Sequence, residues 1–89
     1  MSNEEILAVA IADKLELDST QGIVEFCYEI EIDLDKVATV KGWVEYETEY
    51  EESCNYLYNS YVFVNIDSIE GVKVDERRVA NYLKKKLYG

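Results

Sequence analysis

The sequence predicts an α+β fold, a three-stranded antiparallel meander sheet with an N-terminal and a C-terminal helix in the order α-β-β-β-α. Three observations carry this prediction. Apolar residues recur at helical spacing in the opening segment and again after Asp75. Between those segments they alternate with polar residues, the period of a strand with one buried face. Short polar stretches around Asp18, Asp35, Ser53 and Gly71 then divide the chain into five elements.

Ser2, with Glu5 three residues on, has the pattern of a capping box. Ile6, Leu7, Val9, Ala10, Ile11 and Leu15 follow with helical spacing, so the first helix is expected over residues 3–16. Asp18, Ser19, Thr20, Gln21 and Gly22 form a polar break. Val24, Phe26, Tyr28, Ile30, Ile32 and Leu34 then alternate with Glu25, Cys27, Glu29, Glu31 and Asp33 as the first strand. After a turn at Asp35, Val40, Gly42, Val44, Tyr46, Thr48 and Tyr50 alternate with Lys41, Trp43, Glu45, Glu47, Glu49 and Glu51 in a long second strand. The third is expected over residues 58–66, with Val72 to Val74 as a candidate short fourth. Asp75 caps a second helix whose apolar stripe is Val79, Ala80, Leu83 and Leu87, with Lys84, Lys85 and Lys86 at the end that suits the helix dipole.

The 89 residues make one domain, 1–89, with enough apolar content at 48% for one small core. Two helices of about 10 Å diameter can cover three strands spaced about 4.8 Å apart. The even-numbered strand residues would then be buried and the odd-numbered face left open. The competing arrangement puts one helix on each face and makes Trp43 core. With both helices on one side, a turn at Asp35 sets Tyr28 opposite Gly42, and a turn across Glu51 to Asn55 sets Val44 opposite Val62. The odd face then pairs Glu29 with Lys41, Cys27 with Trp43, Glu25 with Glu45 and Trp43 with Phe63. Cys27, Trp43, Phe63 and Tyr61, with Leu57 as a candidate further member, form an apolar band flanked by Glu25, Glu45, Glu47, Glu49 and Glu51.

Charge is the most informative feature of the composition. The net charge is −10, and its distribution is uneven: residues 1–72 hold 17 acids and 3 bases, a balance of −14, whereas residues 73–89 hold 2 acids and 6 bases, a balance of +4. Direct binding to nucleic acid or to an anionic membrane is disfavoured, and a basic partner is favoured. With no histidine there is no default general base near neutral pH and no imidazole metal ligand, so an enzyme is not expected. No cofactor is implied. Asp33 and Asp35 at a turn lack the longer ligand series and glycine of an EF-hand loop, so no metal site is assigned. Cys27 and Cys54 are expected as free thiols, since the register sets them far apart. The opening residues carry no basic start followed by a long apolar run, which predicts a cytoplasmic protein without a membrane span.

In its length, its acidic sheet and its lack of catalytic residues the chain resembles the small phage-encoded inhibitors of bacterial defence, anti-CRISPR and anti-restriction proteins that imitate nucleic acid. Those proteins share no motif across families, so Glu25, Glu45, Glu47, Glu49 and Glu51 are singled out by charge pattern. The resemblance implies a non-enzymatic inhibitor that presents carboxylates at phosphate-like spacing to the basic nucleic-acid-binding groove of a host protein. Alternate residues of a strand lie about 6.6 to 6.8 Å apart, close to that spacing. Trp43, Tyr61 and Phe63 would supply the apolar centre of the interface. The alternative reading is a homodimeric scaffold that buries the same aromatic face against a second copy.

Overall fold

A computed structural model describes residues 2–18 and 21–88; Ser19 and Thr20 of the predicted polar break lie outside the described residues. Its elements are α1 (Asn3–Lys14), β1 (Ile23–Asp33), β2 (Lys36–Glu51), β3 (Tyr56–Glu70) and α2 (Glu76–Leu87), with the strands antiparallel in the order β1-β2-β3. This is the predicted α-β-β-β-α order.

Ser2 caps α1, its hydroxyl accepting a hydrogen bond from the Glu5 N–H at 3.3 Å. The helix stops at Lys14, two residues short of the prediction. Leu15 there turns to extended backbone and buries its side chain, while its N–H still reaches the Ile11 carbonyl at 2.9 Å. At α2, Asp75 is the cap, accepting from the Arg77 N–H at 3.0 Å. One core unites Leu7, Ala8, Ile11 and Leu15 of the first segment with Val79 and Leu83 of α2 and with Phe26, Ile30, Ala38, Val40, Val44, Tyr46 and Val62 of the sheet. Every buried strand residue in that set is even-numbered. Both helices therefore cover the same sheet face, and the arrangement with one helix on each face is not adopted.

The register differs from the prediction by two residues in each hairpin. Tyr28 faces Val40, with Phe26 opposite Gly42; Tyr46 faces Val62, with Val44 opposite Val64. Two one-residue causes add up in each case. The first turn is the two-residue Leu34–Asp35 link, rather than one centred on Asp35, and the pairing slips again at Ile32 between Glu31 and Asp33. The second is a four-residue turn, Glu52 to Asn55, and β3 carries a bulge at Ser60 between the pairs Glu47/Tyr61 and Thr48/Asn59. Where the shift is two, the face of each side chain is preserved, so Trp43, Glu45, Glu47, Tyr61 and Phe63 keep the odd face even though their partners change; between Ser60 and the turn the shift is one, and the β3 residues there exchange faces.

β3 runs over Tyr56–Glu70, longer than the predicted 58–66, and residues 72–74 form no fourth strand. Gly71 turns the chain away at a φ of +91°, where a Cβ would run into the Val37 carbonyl oxygen. Val72 and Val74 instead pack against the helix-side core.

Candidate protein-binding face

β1 ends its pairing where Ile23 meets Glu45, whereas β2 and β3 continue as a two-stranded arm through Glu51 and Tyr56. The molecule measures 47 Å along its longest axis against 23 and 19 Å in the other directions. At its tip Asn55 takes a left-handed conformation, φ 52°, and accepts a hydrogen bond from the Tyr50 hydroxyl. At its root the Asn59 side-chain amide donates to the Leu87 carbonyl at 2.7 Å, tying the arm to the C-terminal end of α2.

The open face carries Glu25, Trp43, Glu45, Glu47, Glu49, Glu51, Tyr61 and Phe63, and the structure brings all eight predicted site residues onto it. The neighbours differ from those predicted. Glu25 faces Trp43 and Ile23 faces Glu45, so Glu25 and Glu45 are diagonal and not a facing carboxylate pair. Cys27, expected opposite Trp43, faces Lys41, and Glu29, expected opposite Lys41, faces Thr39. Trp43 faces Asn65, but its ring still meets Phe63 diagonally, centroids 5.5 Å apart and tilted by 36°. Leu57, a candidate member of the apolar band, faces Tyr50 on the other side of the arm, because the bulge at Ser60 inverts the alternation beyond it. With no helix over the tip, Leu57 is 57% exposed.

The same inversion places Tyr56 and Tyr58 on the open face. Two parallel rows result. Along β2 run Trp43, Glu45, Glu47, Glu49 and Glu51; beside them on β3 run Asn65, Phe63, Tyr61, Tyr58 and Tyr56, each directly opposite in that order. Tyr56 and Tyr58 stack with centroids 6.1 Å apart and planes 8° from parallel. The Tyr58 hydroxyl donates to Glu49 Oε2 at 2.8 Å. That bond first, and the Glu49 charge after it, raises the Tyr58 pKa above the ordinary tyrosine value. Sequence reasoning missed Tyr56 and Tyr58 as members of this face. The trace of their switch is the polar Asn59-Ser60 pair that separates the even tyrosines from odd Tyr61 and Phe63.

Toward β1 the face dips into a shallow hollow of about 220 Å³ bordered by Glu25, Cys27, Lys41, Trp43 and Asp67. Gly42 lies beneath it in a close approach of strands: a Cβ there would strike the Asn65 carbonyl and come within 3.0 Å of Phe26 Cζ. Among the described residues, Lys41 is the only base at a strand position on this face. Cys27 and Cys54 are both exposed and unpaired. Among the described residues no three His, Cys, Asp or Glu side chains converge as a metal site requires, and no helix is long and apolar enough to cross a membrane. At the Asp33–Asp35 turn, the Asp33 carboxylate instead accepts the Leu34 N–H at 2.8 Å. Compared with models of protein families, with curated proteins and with solved structures, the chain matches none.

Proposed function

We propose that this protein is a non-enzymatic inhibitor that docks its open sheet face into a basic nucleic-acid-binding groove of another protein in the cytoplasm. One observation carries the reading. Both helices cover the even face, so the odd face presents a row of carboxylates beside a row of aromatic rings, with a single lysine at its strand positions among the described residues. Aromatic anchors supply residence in a protein interface, while the surrounding charge steers the approach. The absence of histidine and the strong acidity favour binding over catalysis, and protein over nucleic acid, as its mode of action.

The carboxylate row gives the test. Neutralising Glu45, Glu47 and Glu49 to Gln removes like charges spaced about 6.7 Å apart, so stability should rise slightly at low salt and the gain should vanish near 1 M, where screening acts within about 3 Å. Binding should move the other way. Wild-type protein should retrieve a nucleic-acid-binding protein from a bacterial lysate at low salt, added DNA or RNA should displace it, and the triple variant should miss it. Equal retrieval by both proteins, or none by either, refutes the proposal.

A homodimer through the same face is the second reading, favoured by the exposed apolar side chains of Ile23, Tyr61 and Phe63 around Trp43. Electrostatics opposes it, because two copies of an acidic face would meet. Sedimentation equilibrium separates the two: a dimer that Trp43→Ala dissolves supports the scaffold, and a monomer leaves the inhibitor.

A further inference from the structure

We infer that the β2–β3 arm is a docking surface for an extended, arginine-rich segment of a basic protein, each arginine taken by a glutamate on β2 and the tyrosine facing it on β3. The inference deepens the reading of this face as a binding surface for a basic partner, and it rests on that reading.

The register supplies the argument. Glu47 faces Tyr61 and Glu49 faces Tyr58, so a carboxylate and an aromatic ring stand side by side at two successive rungs on an arm that no helix covers on this side. Directly opposite residues have Cβ atoms about 4.5 to 5.5 Å apart. A guanidinium is planar, stacks on a ring face and offers a fork of N–H donors that matches a carboxylate. It can satisfy both members of a rung at once. A lysine ammonium is a compact, strongly hydrated charge without that planar fork, so it gains less from the pair. At the Glu49 rung, the Tyr58 hydroxyl donates to Oε2 and so holds its ring beside the carboxylate. On β2 the carboxylates of successive rungs follow the strand repeat, about 6.6 to 6.8 Å for alternate residues, which is also the spacing of alternate side chains in an extended peptide, while the bulge at Ser60 brings Tyr58 opposite the second of them. Charge complementarity therefore recruits basic segments generally, while the ring beside each carboxylate selects arginine among them.

Capped octa-arginine and octa-lysine peptides carry equal charge and make direct probes. At 0.15 M salt the wild-type protein should bind octa-arginine about fivefold or more tightly than octa-lysine, the scale of one exposed cation–π contact or slightly more. Tyr58→Leu/Tyr61→Leu should bring the two affinities together, while Glu47→Gln/Glu49→Gln should weaken both peptides; circular dichroism confirms that each variant is folded. Equal wild-type affinities, or a preference for arginine that survives loss of both tyrosines, would overturn the proposal. Arg77 and Arg78, exposed at the start of α2, are the only arginines of the chain, so self-association of the protein alone that Arg77→Ala/Arg78→Ala abolishes would assign the face to a second copy and overturn it as well. Should the lysate experiment find no nucleic-acid-binding partner while the arginine preference holds, the groove reading fails and this one stands; should such a partner be found while the preference is absent, the groove reading stands and this one fails.

Discussion

Trp43 offers the most direct test of the open face, because its truncation has a different cost on that face than in a core. A buried tryptophan replaced by alanine costs about 3 to 5 kcal/mol. Trp43 is half-buried and packs on Phe63, itself 44% exposed, with centroids 5.5 Å apart. Taking about half of a tryptophan's 150–250 Å² payload at ~25 cal/mol per Å² gives roughly 2 to 3 kcal/mol, an upper estimate because the unfolded chain already hides some of that area. About 2 kcal/mol is therefore expected for Trp43→Ala, of which roughly 0.5 to 1.5 kcal/mol should appear as coupling to Phe63 in a double-mutant cycle. Val62, next to Phe63 on β3 and fully buried on the opposite face, provides the control. Val62→Ala removes only two methyl groups, yet the transfer loss of ~0.8 kcal/mol for each, plus the cavity left behind, brings its cost to a similar size. Urea denaturation followed by far-UV circular dichroism reads both variants, since Trp43 is the only tryptophan and its fluorescence is lost with it. A cost of 3 to 5 kcal/mol for Trp43→Ala in a monomer, well above that of Val62→Ala, would refute the placement of Trp43 on an uncovered face.

Two further predictions concern how the fold is held. Tyr46 is buried and its hydroxyl donates to the Asp18 carbonyl at 2.7 Å; burial, and after it the Asp18 charge, raises its pKa above the usual tyrosine value. The folded state thus keeps this proton longer than the unfolded chain, so the stabilisation is complete below the ordinary tyrosine pKa and is lost as pH rises from there through the folded value. Tyr46→Phe should cost about 1 kcal/mol near neutrality through the lost hydrogen bond and should flatten the alkaline fall in stability; an unchanged slope above pH ~10 would count against the argument. Gly42→Ala should destabilise by about 1 to 3 kcal/mol in urea titration, because its Cβ meets the Asn65 backbone, which cannot swing aside as a flexible side chain could. A neutral result would mean that the two strands are not so closely apposed.

The alternation of β1 and β2 was legible in the sequence because one sheet face is buried, and a period of two is what such burial demands. It put Trp43, Glu45, Glu47, Glu49 and Glu51 on one face of β2 without any knowledge of partners, and the requirement that even residues meet even residues then added Tyr61 and Phe63 of β3. Partners depend on turns, and each turn differs from the expected one by one residue. The pairing slips at Ile32 and Ser60 add a second, which restores the face while moving every neighbour. Bulges leave little mark in a sequence read alone. Ser60 nevertheless changes the character of the site, since without the inversion it causes, Tyr56 and Tyr58 would lie on the other side of the arm and the carboxylate row would have no continuous aromatic row beside it. The boundary errors at Leu15 and at residues 72–74 have a different origin: an apolar residue serves the core as well from an extended cap or an irregular connection as from a helix or strand.

The arm is hard to account for by stability. β2 has 16 residues and β3 has 15, whereas β1 has 11 and its pairing with β2 stops at Glu45. A two-stranded ribbon with no third strand is at best marginally stable in water. This one adds a row of like charges and leaves Tyr50, Tyr56 and Leu57 more than half exposed. Each of those features opposes folding or solubility, and a shorter hairpin closing near Tyr46 would retain the whole buried core, whose strand residues lie at or before Tyr46 on β2 and at Val62 on β3. The chain instead commits the Asn59 bond to Leu87 and the Tyr58 bond to Glu49 to keep the ribbon ordered and its two rows aligned. Because the core ends where the arm begins, changes at Glu47, Glu49, Glu51, Tyr56 and Tyr61 should alter binding far more than folding. That separation is what a contact surface carried on an independent core requires.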